Sequence, residues 1–131
     1  MAKAAEKIAS ILEEQGAKKV VVSDLSRDDE AEVIEDAFRY GRMIIAAPTY
    51  DGGLFPPMES FLSHLKSKNY QKRTVGIIEN GTWAPMSGKF MKAALEAMKD
   101  IKICETVVTI KSALKENQED SLVALAKEVL A

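Results

Sequence analysis

The chain has 131 residues, of which 47% are hydrophobic and 29% are charged, as is typical of one folded domain. Its 18 basic and 20 acidic side chains are mixed along the sequence and give a net charge of −2, so no basic patch marks a nucleic-acid or anionic membrane surface. No apolar run approaches the ~20 residues that span a bilayer, and the first residues do not read as a secretory signal. We expect one cytoplasmic domain over residues 1–131 that binds neither nucleic acid nor membrane.

Helix-like and strand-like segments alternate along the chain. Residues 2–15 carry a helical apolar stripe that ends at Gly16, and the β-branched run at residues 20–22 predicts a strand. A helix across residues 33–38 precedes the run MIIAA at residues 43–47, which is typical of a strand covered on both faces. The later segments are a helix over 58–65, a strand over 74–79, a helix over 90–98, a strand over 103–110 and a helix over 122–129.

The order α-β-α-β-α-β-α-β-α predicts a parallel sheet with helices on both faces. In such sheets, ligands bind at the carboxyl ends of the strands near a topological switch point. Two irregular segments follow predicted strands there, and they hold all four prolines and the only tryptophan. We call PTYDGGLFPP the first rim segment (residues 48–57) and NGTWAP the second rim segment (residues 80–85), and we expect them to meet at one rim of the sheet.

The composition of the two rim segments suits a flat ligand. Prolines fix the backbone, and glycines let it approach a partner closely. Tyr50 and Trp83 are candidates to stack on the two faces of a planar ring, each adding about 0.5–1.5 kcal/mol beyond its buried area. The candidate hydrogen-bonding groups are the side chain of Asn80 and the backbone amides of Gly52, Gly53, Gly81 and Thr82. The alternative interpretation is that the Pro, Gly, Asn and Thr residues only make turns and that Trp83 and Phe55 cap the core.

Other polar residues are expected to be structural. Cys104 and His64 are the only residues of their types, which excludes an internal disulfide and a metal site built from several histidines. Cys104 is predicted to be a small buried hydrophobic residue. His64 has no acidic partner in helical register and is predicted to be an ordinary surface or half-buried residue. Ser87 is predicted to be a helix cap. A basic cluster is formed by Lys66, Lys68, Lys72 and Arg73. We predict that it is a solvated helix end, and the alternative is a docking patch for an acidic redox partner.

The stretch PTYDGGLFPPMESFLSHLKSKNYQKRTVGIIENGTWAP resembles the flavin-binding half of the flavodoxin-like domain that ends flavodiiron proteins, also called A-type flavoproteins. The resemblance runs from Ala4 to the last helix and is strongest over residues 47–99, where the patterns T-Y-x-x-G-L-F-P-P and E-N-G-[ST]-W-A-P appear. It implies a flavodoxin-like three-layer α/β/α sandwich with a parallel sheet and with FMN at the rim. The residues that it implies for FMN are Thr49, Tyr50, Asp51, Gly52, Gly53, Asn80, Gly81, Thr82, Trp83 and Ala84.

The chain departs from this family at its start. The family's domain opens with a strand and a hydroxyl- and glycine-rich loop that cradles the FMN phosphate, whereas this sequence begins inside the helix that follows. In the sheet order 2-1-3-4-5, the lacking strand lies between KVVVSD and MIIAA, so these either pair directly or another segment fills the gap. Each lost charge-assisted hydrogen bond to phosphate removes ~1.5–3 kcal/mol, which predicts weakened FMN affinity. Three explanations stay open: a late-starting coding sequence, a strand donated by another chain, or a rearranged sheet.

The leading functional hypothesis is an FMN-binding electron-transfer domain of a flavodiiron-type oxidoreductase. The flavin would carry the chemistry, the protein would supply no acid, base or nucleophile, and the partners would be a redox partner protein or the family's di-iron domain. Asp51 and Glu79 near the rim would lower the flavin potential by disfavouring an anionic reduced flavin. The rival hypothesis is a non-catalytic interaction module or homo-oligomer that uses an exposed sheet edge and no longer binds flavin. An NAD(P)H-dependent FMN reductase ranks last, because no dinucleotide-binding fingerprint is present.

Overall fold

The computed structural model describes residues 2–50, 53–80, 87–110 and 116–130. The elements in chain order are α1 (Ala2–Glu14), α2 (Glu30–Arg39), β1 (Arg42–Tyr50), β2 (Gly53–Leu54), α3 (Pro56–Ser67), β3 (Arg73–Asn80), α4 (Ser87–Glu96), β4 (Ile101–Ile110) and α5 (Glu116–Leu130). All five predicted helices and three of the four predicted strands are present, and β2 was not predicted.

The sheet has the strand order β2-β1-β3-β4. β1 and β3 are parallel from the pair Arg42 and Thr74 to the pair Pro48 and Asn80. β3 and β4 are also parallel, and their register shifts between Val75 and Ile77. Because α3 connects β1 to β3 through the short β2, and α4 connects β3 to β4, each parallel pair is joined by the helical crossover that the alternation predicts.

The side chains of the central strands alternate between two hydrophobic clusters, one on each face of the sheet. Ile45 and Ile77 belong to the cluster that includes residues of α2, α3 and α4. Ile44 and Ile78 belong to the cluster that includes residues of α1 and α5. Both faces are therefore covered by helices, which explains the unbroken apolar run in β1 and confirms the predicted three-layer α/β/α arrangement.

The strand predicted at residues 20–22 is wrong. Residues 17–24 contain no strand, and the side chains of Val21 and Val22 are 43% and 53% exposed. β-branched residues suit a strand only where a neighbouring strand takes up their backbone groups and packs against their side chains. Among the described residues, no strand pairs with this run to supply such a neighbour.

The outer side of β1, away from β3, is open over most of its length. Of the two arrangements that the sequence left open, direct pairing of KVVVSD with MIIAA is not found, since residues 20–22 do not pair with β1. β2 fills only the end of the gap, where it pairs antiparallel with Thr49 and Tyr50. Among the described residues, no strand pairs with residues 42–48 on this side, so β1 has an unpaired edge there.

Arg73 is not part of a solvated basic cluster. Its half-buried guanidinium donates hydrogen bonds to the carbonyl oxygens of Phe38 at 2.9 Å, of Tyr40 at 3.1 Å and of Gln71. It also lies 5.2 Å from the ring centroid of Tyr70 and 5.9 Å from that of Phe38. Arg73 therefore fastens the end of α2 to the start of β3. The exposed members of the predicted cluster are Lys66, Lys68 and Lys72.

Candidate functional site

The two rim segments leave the sheet from neighbouring strand ends. Pro48, which begins the first rim segment, pairs with Asn80, which begins the second, and Asn80 also pairs with Ile110 at the end of β4. Three parallel strands thus end together, and the rim that the sequence predicts as a ligand site lies at these carboxyl ends.

The predicted cofactor residues divide into a described and an undescribed group. The described backbone includes Thr49, Tyr50, Gly53 and Asn80, all at the rim. Outside the described residues lie Asp51, Gly52, Gly81, Thr82, Trp83 and Ala84. The facing arrangement of the Tyr50 and Trp83 rings stays a prediction.

The first rim segment turns back on β1 as a short hairpin. Thr49 pairs with Leu54, and Tyr50 pairs with Gly53, which leaves two residues between the strands, the length of a tight hairpin connection. The chain then enters α3 at Pro56, where a proline suits the first helical turn because no backbone donor is needed there. The hairpin therefore lies on the outer side of β1, whereas the second rim segment follows β3.

Glu79 makes two hydrogen bonds at the described rim. Its Oε2 accepts from the backbone N–H of Gly88 at 2.8 Å, and its Oε1 accepts from the hydroxyl of Thr109 at 2.7 Å. The sequence placed Glu79 at the rim only as a charge near a flavin, so these bonds were not predicted. The usable signal was an acidic residue at a strand end shortly before a helix start, since the N-terminus of a helix attracts negative charge.

Ser87 fixes the start of α4 to β1. Its side chain is fully buried, and its hydroxyl donates to the carbonyl oxygen of Ala47 at 2.8 Å. Ser87 thus lies at the start of a helix, where the cap interpretation placed it, and the bond to Ala47 gives it a structural task between α4 and the sheet. Together with the contact between Glu79 and Gly88, it ties the first turn of α4 to both β1 and β3.

His64 has an acidic partner that the sequence did not reveal. Its Nδ1 contacts Glu30 Oε1, and the Ser60 hydroxyl donates to Glu30 Oε2 at 2.9 Å. The hydrogen bond with His64, followed by that with Ser60, lowers the pKa of Glu30 against an opposing effect of desolvation. The carboxylate lies between the histidine and the serine, so it ties α2 to α3 and does not form a nucleophile relay. The partners are 34 residues apart in sequence, a distance at which no helical register applies.

Cys104 is buried, as predicted. Its side chain is 4% exposed, and the pKa of its thiol is raised first by desolvation and then by the nearby charge of Glu128. Within the described ranges, no group of three or more His, Cys, Asp or Glu side chains is placed to hold a metal ion. The helices described here also lack the length and apolar character that crossing a membrane requires.

A groove of about 450 Å³ lies away from the strand ends, between α3 and α4. Leu62 and Lys66 line one wall, and Phe90 and Ala94 line the other. Phe90 is 37% exposed. The lining belongs to helix surfaces and includes none of the residues predicted to hold a cofactor.

The described residues fit one part of FMN better than the other. Backbone groups of two adjacent strand ends and a hairpin that contains Gly53 lie together where an isoalloxazine ring would be held. The described backbone at the rim is therefore compatible with the ring of FMN, and none of the described residues corresponds to the phosphate loop that the family resemblance implies.

No protein-family model and no curated protein matches the chain. Among solved structures, rubredoxin oxygen:oxidoreductase from the anaerobe Desulfovibrio gigas is similar with a TM-score of 0.90 and 20% identity, over 98% of this chain and 31% of that one. A histidine-to-aspartate mutant of a flavo di-iron protein from Thermotoga maritima is similar with a TM-score of 0.75 and 24% identity, over 99% of this chain and 32% of that one. Oxidised flavodoxin 1 from Bacillus cereus is similar with a TM-score of 0.81 and 16% identity, over 98% of this chain and 88% of that one.

These similarities confirm the predicted fold class. The chain spans about a third of the first two proteins, 31% and 32%, and most of the flavodoxin, 88%. The flavodiiron resemblance seen in the rim segments and the structural similarity thus agree on the fold. The chain has the flavodoxin-like α/β fold, of the kind found in flavodoxins and in the flavodoxin-like domain of flavodiiron proteins.

Proposed function

We propose that the chain is an FMN-binding electron-transfer domain of a flavodiiron-type oxidoreductase. The observation that carries the proposal is the pairing of Pro48 with Asn80, because it starts both rim segments side by side at the carboxyl end of a flavodoxin-like sheet. Open α/β sheets bind ligands at this end. The similarity in fold to a rubredoxin oxygen:oxidoreductase and to a flavo di-iron protein supports the same proposal.

FMN supplies the electron-transfer chemistry when it is bound, and the task of this chain is to bind and orient it. The first rim segment, from Thr49 to Gly53, lies beside the ring in this proposal, and the second, from Asn80 to Ala84, covers it and contacts its edge. Tyr50 and Trp83 stack on the ring, and backbone amides of the glycines hydrogen-bond to it. A redox partner protein or a di-iron domain exchanges electrons with the exposed edge of the site.

The two acidic residues near the rim differ in their effect on the bound flavin. The carboxylate of Glu79 already accepts hydrogen bonds from Gly88 at the N-terminus of α4 and from Thr109, so its charge is balanced locally. Asp51 follows Tyr50 in sequence and lies outside the described residues, where no contact balances its charge in this proposal. We therefore assign to Asp51 the larger part of the electrostatic effect that disfavours the anionic reduced flavin and so lowers the reduction potential of the flavin.

Affinity for FMN should be modest and should not depend on the phosphate. None of the described residues corresponds to the phosphate loop that the flavodiiron resemblance implies. A flavin that lacks the phosphate should then bind about as tightly as FMN, whereas an intact phosphate cradle, at ~1.5–3 kcal/mol for each charge-assisted bond, would favour FMN by powers of ten.

Titration of the purified chain with FMN and with riboflavin, followed by flavin fluorescence, tests the proposal. We expect both to bind in the micromolar range with dissociation constants within about threefold of each other. Tyr50→Ala should weaken both, and Tyr40→Ala, at the C-cap of α2 and two residues before β1 begins, is the matched control. Failure of both flavins to bind at tens of micromolar would reject the proposal for this chain. Strong preference for FMN would reject the weakened-affinity argument.

A second candidate function is favoured by the open outer side of β1. An exposed edge can pair with another strand, and the simplest symmetric partner is the β1 edge of a second copy, joined antiparallel about a two-fold axis. The exposed Val21 and Val22 offer further apolar surface for such a contact. In this alternative the chain is a non-catalytic homo-oligomer that does not bind flavin.

Light scattering after size-exclusion chromatography, without flavin, tests this alternative. A stable dimer that the double substitution Val21→Lys and Val22→Lys disrupts would support it. The control is Val107→Lys, which places one lysine on an exposed residue of β4, the strand at the other edge of the sheet. A monomer at tens of micromolar would reject it.

A further inference from the structure

The groove between α3 and α4 joins apolar surface to charge. Leu62, Phe90, Ala94 and Ala97 contribute apolar side chains to its lining, and its volume is about 450 Å³. Phe90 is 37% exposed although it adjoins these apolar neighbours. An exposed aromatic side chain within an apolar groove, unlike a hydrophobic residue standing alone on a surface, is typical of a region that another protein surface covers.

The two helices run in the same direction along this groove. β1, β3 and β4 are parallel, so each helix that connects two of them runs back against the strands. Glu59 is the fourth residue of α3, and Phe90 is the fourth residue of α4. Both therefore lie at the end of the groove that is nearer to the carboxyl ends of the strands. Lys66 and Ala97, each seven residues later, lie at the other end.

The groove carries opposite charges at its two ends. Glu59 and Lys66 both line it and are both exposed. Seven residues of helix are almost two turns, or about 10.5 Å, so these side chains share one side of α3 but lie too far apart to pair with each other. Within the described part of the chain, neither side chain forms an ion pair. Both charges are thus available to a partner.

Such a surface is complementary to a second copy of itself. A two-fold axis in the interface, perpendicular to the helices, places α3 antiparallel to α3 of the second copy and α4 antiparallel to α4. Because both pairs have the same spacing, this rotation brings Glu59 opposite Lys66 of the second copy. It also brings Phe90 opposite the small side chain of Ala97 of the second copy, which leaves room for the aromatic ring. Each contact occurs twice.

We propose that the groove between α3 and α4 is a homodimer interface, in which two copies of this chain pack with antiparallel helices and pair Glu59 with Lys66 in both directions. This surface is separate from the outer side of β1, and its pairing can be measured without flavin. Since the helices of the two copies run in opposite directions, the carboxyl ends of the two sheets lie at opposite ends of the dimer. Both rims therefore stay accessible.

Exchange of the two charges tests the pairing. Glu59→Lys places two lysines opposite each other at both contacts, and Lys66→Glu places two glutamates there, so each should raise the dissociation constant of the homodimer about tenfold or more. The double variant Glu59→Lys with Lys66→Glu restores both pairs and should return the constant to within about threefold of the parent value. An equimolar mixture of the two single variants should form a heterodimer of similar affinity, because the two lysines of one copy then meet the two glutamates of the other.

Sedimentation equilibrium at protein concentrations from about 20 to 500 μM measures these constants. We expect a weak parent dimer with a dissociation constant of roughly 100 μM, as is typical of small interfaces. The matched controls are Glu96→Lys and Lys92→Glu, which make the same changes of net charge at exposed residues of α4 outside the groove lining and should leave the constant unchanged. Phe90→Ala should raise the constant about tenfold, with circular dichroism to show that this variant is folded.

Three results would overturn the proposal. The first is a parent chain that stays monomeric throughout this concentration range. The second is a dimer that survives both single exchanges, including one that only Val21→Lys and Val22→Lys disrupt, which would place the contact at the outer side of β1. The third is a loss of the dimer in the single variants that neither the double variant nor the mixture restores.

Discussion

Replacing Tyr70 with phenylalanine should stabilise the protein. The Tyr70 side chain is 1% exposed, and its hydroxyl has no hydrogen-bond partner among the described residues. A buried unpaired hydroxyl costs about 1–3 kcal/mol, and phenylalanine removes it. The ring contacts stay, since the Phe38 and Tyr70 rings are nearly perpendicular with centroids 5.3 Å apart and the Arg73 guanidinium lies 5.2 Å from the Tyr70 centroid. We expect Tyr70→Phe to raise the free energy of unfolding by about 1–3 kcal/mol at neutral pH.

Alkaline pH should widen this difference. Desolvation raises the pKa of Tyr70 from 10.0 to about 12, with the Arg73 charge opposing it. Because the folded pKa lies above the unfolded one, the stability of the parent protein is intact below pH 10 and falls as the pH rises toward about 12. The loss is about 1.4 kcal/mol per pH unit within that window, or about 3 kcal/mol in all.

Urea unfolding of the parent, Tyr70→Phe and the control Tyr40→Phe at pH 7, 10, 11 and 12 measures both effects. Lysine titration in the same range affects all three proteins equally, so it cancels in the differences. Tyr70→Phe should lack the loss of stability at alkaline pH that is attributed to Tyr70, and the control Tyr40→Phe should still show it. A Tyr70→Phe protein that is less stable than the parent at pH 7, or that loses stability with the same alkaline slope, would refute the reasoning.

Three further substitutions probe the packing around the sheet. Arg73→Lys should lower the free energy of unfolding by about 2–4 kcal/mol, because lysine cannot bond three carbonyl oxygens from one planar group; urea unfolding measures this. Gly76→Ala should lower the free energy of unfolding by about 1–3 kcal/mol, because its Cβ would lie 2.9 Å from Leu125 in the buried contact between β3 and α5. An unchanged urea midpoint would contradict this expectation. Glu30→Gln should destabilise at pH 7, and the difference should shrink as the pH falls below 4.5, because the lowered pKa of Glu30 stabilises only while the carboxylate is charged; a pH-independent difference would exclude the tie to His64.

The sequence predicted the elements whose pattern depends on burial alone. The unbroken run in β1 required cover on both faces, and the clusters around Ile44 and Ile45 supply it. The run at residues 20–22 consists of three β-branched residues and yet forms no strand, because a strand also needs a neighbour to take up its backbone groups. Propensity is a property of the segment, whereas pairing is a property of the whole sheet.

The polar contacts of the site were beyond the reach of sequence patterns. Glu79 and Gly88 meet because β3 and α4 turn around the rim segment, and His64 meets Glu30 because α2 and α3 pack side by side. Such pairs have no fixed spacing in sequence, unlike the periodic apolar positions of a helix. The place of the two rim segments was predictable, since carboxyl ends of parallel strands always share one edge of the sheet.

Mapping of backbone amide shifts by NMR during a riboflavin titration tests the location of the site most directly. The proposed function predicts that the shifted amides cluster in residues 49–53 and 80–84, and that they saturate together with one dissociation constant. Amides along the α3 and α4 groove and at the start of β1 should stay unchanged. Shifts centred on that groove, or no saturable shifts at either rim segment, would contradict a flavin site at the carboxyl ends of β1 and β3.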